Sequence, residues 1–296
     1  LFLLDYDGTL TPIVKDPAAA VPSQRLLDAM HALTNDTRNI VYIISGRDEA
    51  FLSKHFSQFP ALGLSAEHGS YFKEHGIGST WQNLSAELDM SWKGDVLNVF
   101  RYFTDRTLGS NIEEKKSSIV WHYRNADPDF GSFQAKECQS LLDNILSQND
   151  LQVEVVVGKK NVEVRPLAIN KGEIVHRILY SNPDTDFVFC AGDDKTDEDM
   201  FRFLSNLAND TSEKEPSSPT GGMNTMMIMP PAPLSRSSYV NATSLSLKLK
   251  RDQVFTCTVG PNSKRTRADW HVGDVHDVID SLLGMVETSR DATLNT

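Results

Sequence analysis

The first ten residues limit the fold more than any other stretch. LFLLDYDGTL is an unbroken apolar run ending on two carboxylates, Asp5 and Asp7, with Gly8 and Thr9 forming a turn. An apolar run without polar alternation reads as a strand buried on both faces, the kind that builds parallel sheets. Two more follow, at Asn39–Ser45 (NIVYIIS) and Phe187–Ala191 (FVFCA). Helix-period segments precede each: Leu26, Leu27, Met30 and Leu33 before the second run, Ile174, Ile178 and Leu179 before the third. This alternation predicts an α/β fold, a doubly wound Rossmann-like core around a parallel sheet.

From Trp92 to Pro166 the pattern changes. Val96, Val99, Phe100 and Phe103 recur at helical spacing, SSIVWHYR reads as a strand, and Phe133, Leu141, Leu142 and Ile145 mark a second helix. VEVVV and NVEVRP then form a hairpin signal, with Gly158, Lys159 and Lys160 between them. The expected unit is α-β-α-β-β, an α/β cap over 92–166 inserted into a discontinuous core of 1–91 and 167–296. A length of 296 residues accommodates two such domains. Residues 209–246, rich in Ser, Pro, Thr and Asn, are expected to be a flexible surface insertion in the core around one short strand, Thr225–Met229. VFTCTVG gives a last strand, and Val275, Val278, Ile279, Leu282 and Leu283 a terminal helix.

Charge narrows the function. Lys plus Arg number 29 against 40 Asp plus Glu, a net −11 that argues against binding nucleic acid. The cap carries ten basic and eleven acidic residues, so 10 − 11 = −1 there and −10 remains in the core, where a cation would be needed. Three widely spaced cysteines without a CxxC pair imply neither a disulfide framework nor a zinc site, and point to a reducing, cytoplasmic setting. No apolar run reaches the ~20 residues of a membrane span. The chain opens at Leu1 inside an apparent strand, and is read as a domain of a longer protein.

The chemistry concentrates at strand ends. Asp5 and Asp7 end one buried strand, and GDDKTDEDM places Asp193, Asp194 and Asp197 at the end of another. Ligands of open α/β sheets bind at that edge. Either cluster alone also reads as an ordinary turn or a solvated helix start. If the strands are neighbours, their carboxylates converge and need a cation, and an all-oxygen set favours Mg²⁺. Ser45, Gly46 and Arg47 end the second strand. Lys171 opens a helix, where a positive charge opposes the dipole unless an anion compensates; phosphate is one.

DYDGTL, ISGR, the lysine of NKG and GDDKTDE resemble the ordered signature of the haloacid dehalogenase superfamily of phosphatases. AEHG, IEEKKSSIVWHYR and VGKKNVEVRP are similar to trehalose-6-phosphate phosphatases, and the Ser/Pro-rich insertion to those of fungi. The resemblance implies Mg²⁺-dependent hydrolysis of trehalose 6-phosphate through an aspartyl-phosphate, the last step of trehalose synthesis. In it Asp5 is the nucleophile, Asp7 the acid and base, and Ser45 and Lys171 phosphate-binding groups. It further implies a metal held among Asp5, Asp7 (through its carbonyl), Asp193 and Asp194, with Asp197 in support. The sugar falls to the cap residues Glu113, Lys115, His122, Arg124, Lys159 and Glu163, and Arg47 joins them in binding substrate. The doubled pairs Glu113/Glu114, Lys115/Lys116 and Lys159/Lys160 leave the cap register open. Another capped sugar-phosphate phosphatase or phosphomutase is the alternative. The expected partner is the small-molecule substrate, with no nucleic acid and no membrane, and the chain is expected within a larger trehalose-synthesis complex.

Overall fold

The computed structural model describes residues 1–14, 16–148, 151–210, 226–231 and 244–294. The chain divides into two compact units, one formed by Leu1–Asn83 with Asn170–Thr296, the other by Leu84–Ile169.

Along the chain the first unit begins with β1 (Phe2–Leu4), α1 (Gln24–Thr34), β2 (Val41–Ile44), α2 (Glu49–Phe56), β3 (Gly63–Ala66), β4 (Tyr71–Lys73) and β5 (Gln82–Asn83). The second contributes α3 (Lys93–Thr104), β6 (Asn111–Glu114), β7 (Ile119–His122), α4 (Pro128–Gln148), β8 (Val153–Val157) and β9 (Asn161–Pro166). The first then resumes with α5 (Lys171–Ser181), β10 (Val188–Gly192), α6 (Glu198–Asp210), β11 (Met226–Ile228), β12 (Leu245–Leu247), β13 (Val254–Val259), β14 (Trp270–Val272) and α7 (Val275–Leu294).

In the first unit eight strands form one sheet in the order β14-β13-β10-β1-β2-β3-β4-β5, and β11 and β12 pair separately. It is parallel from β14 to β3 and antiparallel at β4 and β5. Phe2, Leu4, Val41 and Ile43 join the core cluster that includes Leu26, Met30 and Leu33 of α1 and Ile279 and Leu282 of α7. The residues of opposite parity, Leu3, Tyr42, Ile44 and Cys190, are equally buried, and α6 packs on β10 and β13. Burial on both faces explains the unbroken apolar runs, each Leu or Ile contributing roughly 1.5–3 kcal/mol. The helices start where their caps dictate: Ser23 accepts from the Leu26 N–H, Asp48 from Phe51 and Asn170 from Glu173.

The second unit is a four-stranded antiparallel sheet, β6-β7-β9-β8, with α3 and α4 packed against the face bearing Ile119, Trp121, Val162 and Val164. Its element order is α-β-β-α-β-β, one strand more than the sequence pattern shows. The extra strand, NIEE, is an exposed edge with no apolar alternation. On α4 the buried stripe is Ala135, Cys138, Leu142 and Leu146, whereas Phe133 is 56% exposed and Leu141 40%. Of the expected marks Leu142 is in that stripe and Ile145 packs against it, while the small Ala135 and Cys138 carry no such signal. In the β8–β9 turn Lys160, not Gly158, takes the left-handed conformation, at φ 67°.

Of the stretch 209–246, residues 211–225 and 232–243 lie outside the described residues, Thr225 of the expected strand among them. Met226–Ile228 pairs antiparallel with Leu245–Leu247. Met226, Ile228 and Leu247 are buried, and His176 Nε2 lies 2.8 Å from the Met229 carbonyl. The described part of the expected strand is thus β11, which pairs with β12. Among the described residues no helix is long and apolar enough to cross a membrane, and Cys138, Cys190 and Cys257 are buried free thiols.

Candidate active site

Parallel pairing of β1 with β10, Leu4 opposite Ala191, brings the two acidic strand ends together. Asp5 continues the ladder by donating its N–H to the Ala191 carbonyl at 3.0 Å. Lys171, 1% exposed at the start of α5, donates from Nζ to Asp5 Oδ1 and to Asp197 Oδ1, both at 2.7 Å. Thr9 Oγ1 donates to Asp5 Oδ2 at 2.9 Å. Asp197 Oδ2 accepts the backbone N–H groups of Asp193 (2.7 Å) and Asp194 (2.9 Å), fixing the loop after β10. Gly8 is required where it stands: its φ is 86°, and a Cβ there would lie 2.3 Å from Asp193 Cγ.

Carboxylates crowd together here. Oxygens of Asp5, Asp193 and Asp197 lie within 4.8 Å of one another and all three residues are buried. At such separations each like-charged pair costs about 3–4 kcal/mol at an effective dielectric near 20. Burial pushes the Asp5 carboxyl up to about 7 against the pull of Lys171, with Asp193 and Asp194 adding to the rise. Burial and the Asp5 charge likewise hold Asp197 well above the usual carboxylate range. Asp194 ends at about 2: burial opposes its ionisation, but Lys171 and the hydrogen bonds from Thr196 outweigh it. Lys171 stays charged despite burial because Asp197 and Asp5 face it.

The donor set fits a hard divalent cation. Asp197 has both oxygens committed, to Lys171 and to two N–H groups, and Asp194 Oδ1 caps the turn through the N–H and hydroxyl of Thr196. Asp5, Asp193 and Asp197 are the carboxylates whose oxygens converge closely enough to share one. Lys264, in the β13–β14 connection, donates from Nζ to the Asp193 carbonyl and, at 2.8 Å, to Thr258 Oγ1. The sequence reading gave Thr9 only a place in the turn after Asp7 and gave Lys264 none. Thr9 was legible from DGT as a hydroxyl beside the nucleophile candidate, whereas nothing in GPNSKRT marks Lys264.

Ser45 sits at the end of β2, buried, its Oγ accepting the Arg47 N–H at 3.1 Å. Arg47 forks onto Asp7, Nε to Oδ2 at 2.7 Å and Nη2 to Oδ1 at 2.6 Å, and lies over the Phe51 ring at 4.5 Å. Asp5, Asp7, Ser45, Arg47, Lys171, Asp193, Asp194 and Asp197 thus all belong to one unit, on loops or helix starts following β1, β2, β9 and β10.

In the second unit Glu113, Val120, Glu163 and Val156 stand opposite one another across β6, β7, β9 and β8. This settles the doubled glutamates. Glu113 accepts from His122 Nε2 at 2.7 Å, a bond that holds its carboxyl below the usual range, while Glu114 lies 3.9 Å from Lys93 of α3. Glu163, 6% exposed, accepts from Ser118 Oγ at 2.7 Å. Lys115 follows β6, Lys159 is exposed in the β8–β9 turn, and Arg124 is exposed past the end of β7. Glu113, His122 and Glu163 share the face away from α3 and α4; the three basic residues lie outside the strands.

The chain matches the family described as trehalose-phosphatase over residues 3–226. It is 46% identical over 286 residues to a trehalose-phosphatase of Schizosaccharomyces pombe, which covers 95% of this chain and 30% of that one. It is 49% identical over 211 residues to the UDP-forming alpha,alpha-trehalose-phosphate synthase B of Dictyostelium discoideum, covering 71% of this chain and 26% of that one. The chain thus spans about 30% of the length of the curated relatives it matches. Among solved structures it resembles the C-terminal domain of the Candida albicans trehalose-6-phosphate phosphatase, with a TM-score of 0.78 and 41% identity, covering 96% of this chain and 91% of that one.

Proposed function

The chain belongs to the trehalose-phosphatase family, and from that premise we propose that it hydrolyses trehalose 6-phosphate to trehalose and phosphate, with Asp5 as nucleophile. The observation that carries this reading is the buried Asp5–Lys171–Asp197 chain at the joined ends of β1 and β10. It holds a carboxylate at the ligand-binding edge of the sheet, which a purely structural ion pair would not require. An Asp5 oxygen attacks phosphorus as the bond from phosphorus to the sugar oxygen breaks, and Asp7 gives its proton to that oxygen, releasing trehalose. A water then attacks the aspartyl-phosphate and its proton passes to Asp7. Phosphate leaves and the Asp5 carboxylate is restored.

The other groups follow from their placement. Lys171 has three N–H donors and gives two to Asp5 and Asp197, so one remains for a phosphoryl oxygen. Ser45 Oγ supplies another contact. Arg47, which pairs with Asp7, is drawn by the arriving phosphate and frees Asp7 for proton transfer; guanidinium forks bind either anion in the same geometry. A divalent cation, Mg²⁺ by the all-oxygen donor set, would be held by Asp5, Asp193 and the Asp7 carbonyl, where it would neutralise the carboxylates and the phosphoryl oxygens. Asp194 and Asp197 orient the loop that carries Asp193.

Glu113, Lys115, His122, Arg124, Lys159 and Glu163 are proposed to hold the sugar hydroxyls, which both donate and accept. That the chain spans about 30% of its relatives supports reading it as the phosphatase domain of a longer trehalose-synthesis chain, and its free thiols suit the cytoplasm. The test is phosphate release from trehalose 6-phosphate, glucose 6-phosphate, sucrose 6-phosphate and mannose phosphates with Mg²⁺. Trehalose 6-phosphate is expected to lead by as much as ~10⁴, since a site that pairs hydroxyls of a second ring leaves them unmet otherwise. Equal rates would move the reading to a general capped sugar-phosphate phosphatase.

A further inference from the structure

Two consecutive residues bearing side chains occupy the left-handed region, Glu67 at φ 46° and His68 at φ 55°, and Gly69 follows at φ 117°. For non-glycine residues this conformation is strained and persists only where the surroundings impose it. Here the turn follows β3 and packs against the loop after β2. The Glu67 N–H donates to the Arg47 carbonyl and the His68 N–H to the Ser45 carbonyl, both at 2.9 Å, so the strained turn grips both ends of Ser45-Gly46-Arg47. On its other side the turn meets α5, where a Cβ on Gly69 would lie 2.6 Å from Ile174 Cγ1, three residues past Lys171. The imidazole of His68 fills the space over Gly46. A Cβ on Gly46 would lie 2.6 Å from Nε2, 2.7 Å from Cε1 and 3.5 Å from Cδ2, and these are its three nearest atoms.

We propose that His68 is a positioning residue for the phosphate site: its ring, held in place by the left-handed turn, is the wedge that sets Ser45 and Arg47. The inference rests on the phosphatase reading and deepens it. The turn is strained because a relaxed backbone would carry the ring off Gly46 and loosen the two bonds that define the loop. The ring acts through the loop, so its removal is felt equally by every phosphoryl ligand, whatever the leaving group.

The experiment is a double-mutant cycle of His68→Gly and Gly46→Ala, read by calorimetric titration with inorganic phosphate and by turnover of trehalose 6-phosphate and an aryl phosphate. Glycine adopts the left-handed backbone freely, so His68→Gly is expected to melt no lower than wild type. Its kcat/KM is expected to fall on the order of a hundredfold on both substrates, the effect of about an ångström of misplacement, with phosphate affinity weakened in parallel. Gly46→Ala, which pushes the ring from the opposite direction, should reproduce the loss where His68 is present. It should add little where His68 is glycine, because the atoms it strikes are gone. Wild-type phosphate affinity in either single variant, or full additivity in the double, would overturn the proposal. If wild type binds phosphate with that non-additive cycle but turns over neither substrate, the activity reading fails and the wedge stands.

Discussion

Lys171→Met keeps the length of a buried side chain and removes the one ammonium shared by Asp5 and Asp197. The three side chains are at most 6% exposed, so little water can replace the lost charge. Removing one partner of a buried ion pair costs about 3–5 kcal/mol. For a unit of this size each kcal/mol moves Tm by about 2–4 °C, which gives a drop of about 6–20 °C. Its pH dependence has a fixed sign. Asp5 and Asp197 are acids whose folded pKa lies above the unfolded value, so the folded chain holds their protons more tightly and stability falls as pH rises towards that folded value. Lys171 opposes this rise, and without it the fall is steeper. Thermal unfolding in chelator at pH 5 and pH 8 should show a small deficit at the lower pH and the full one at the higher. Added Mg²⁺ should recover part of the deficit at pH 8. A drop that is the same at both pH values, or under about 2 °C at pH 8, would refute the reasoning, because it would mean the lysine does not neutralise buried carboxylates.

Other variants and conditions probe the remaining parts. Gly8→Ala should lose turnover and divalent-cation binding together, since its backbone and the Asp193 carboxylate cannot both keep their places; unchanged cation affinity by calorimetry would contradict this. With Asp5 pushed up to about 7, cation binding must displace a proton, so Mg²⁺ affinity should rise with pH up to about 7 and then level off. A flat affinity from pH 5 to pH 8 would rule that out. Ca²⁺ should bind without supporting turnover, because its looser six-to-eight-fold shell can take both Asp5 oxygens, and full activity with Ca²⁺ would count against Asp5 as nucleophile. Glu163→Ala should collapse kcat/KM for trehalose 6-phosphate and spare an aryl phosphate; equal losses on both would place Glu163 in the fold instead.

The core was legible because its strands are buried on both faces: FLL, VYII and VFCAG announce themselves without alternation, and the carboxylates ending them need only the β1–β10 pairing to meet. Lys171 was legible as an anomaly, a cation at a helix start, though its role as a bridge between Asp5 and Asp197 was not, because that depends on contacts 166 and 26 residues away. The strand Asn111–Glu114 escaped because an exposed edge carries no hydrophobic signal. On α4 Leu142 and Ile145 were legible, whereas Ala135 and Cys138 escaped because they are small. The left-handed Glu67 and His68 could not be foreseen, since local sequence there argues for the opposite: strain of this kind is imposed by tertiary contacts.

The most direct test of Asp5 as nucleophile is to catch the bond it forms. Asp7→Asn, which lacks the base for the second step, can be mixed with an aryl phosphate whose leaving group needs no acid, quenched in acid within the first turnover, and its peptides weighed. The predicted result is the mass of one phosphoryl group on the peptide that contains LFLLDY, assigned by fragmentation to Asp5 and absent when Asp5→Asn is added. Phosphoryl mass on another residue, or release of phosphate with none on any peptide, would contradict it.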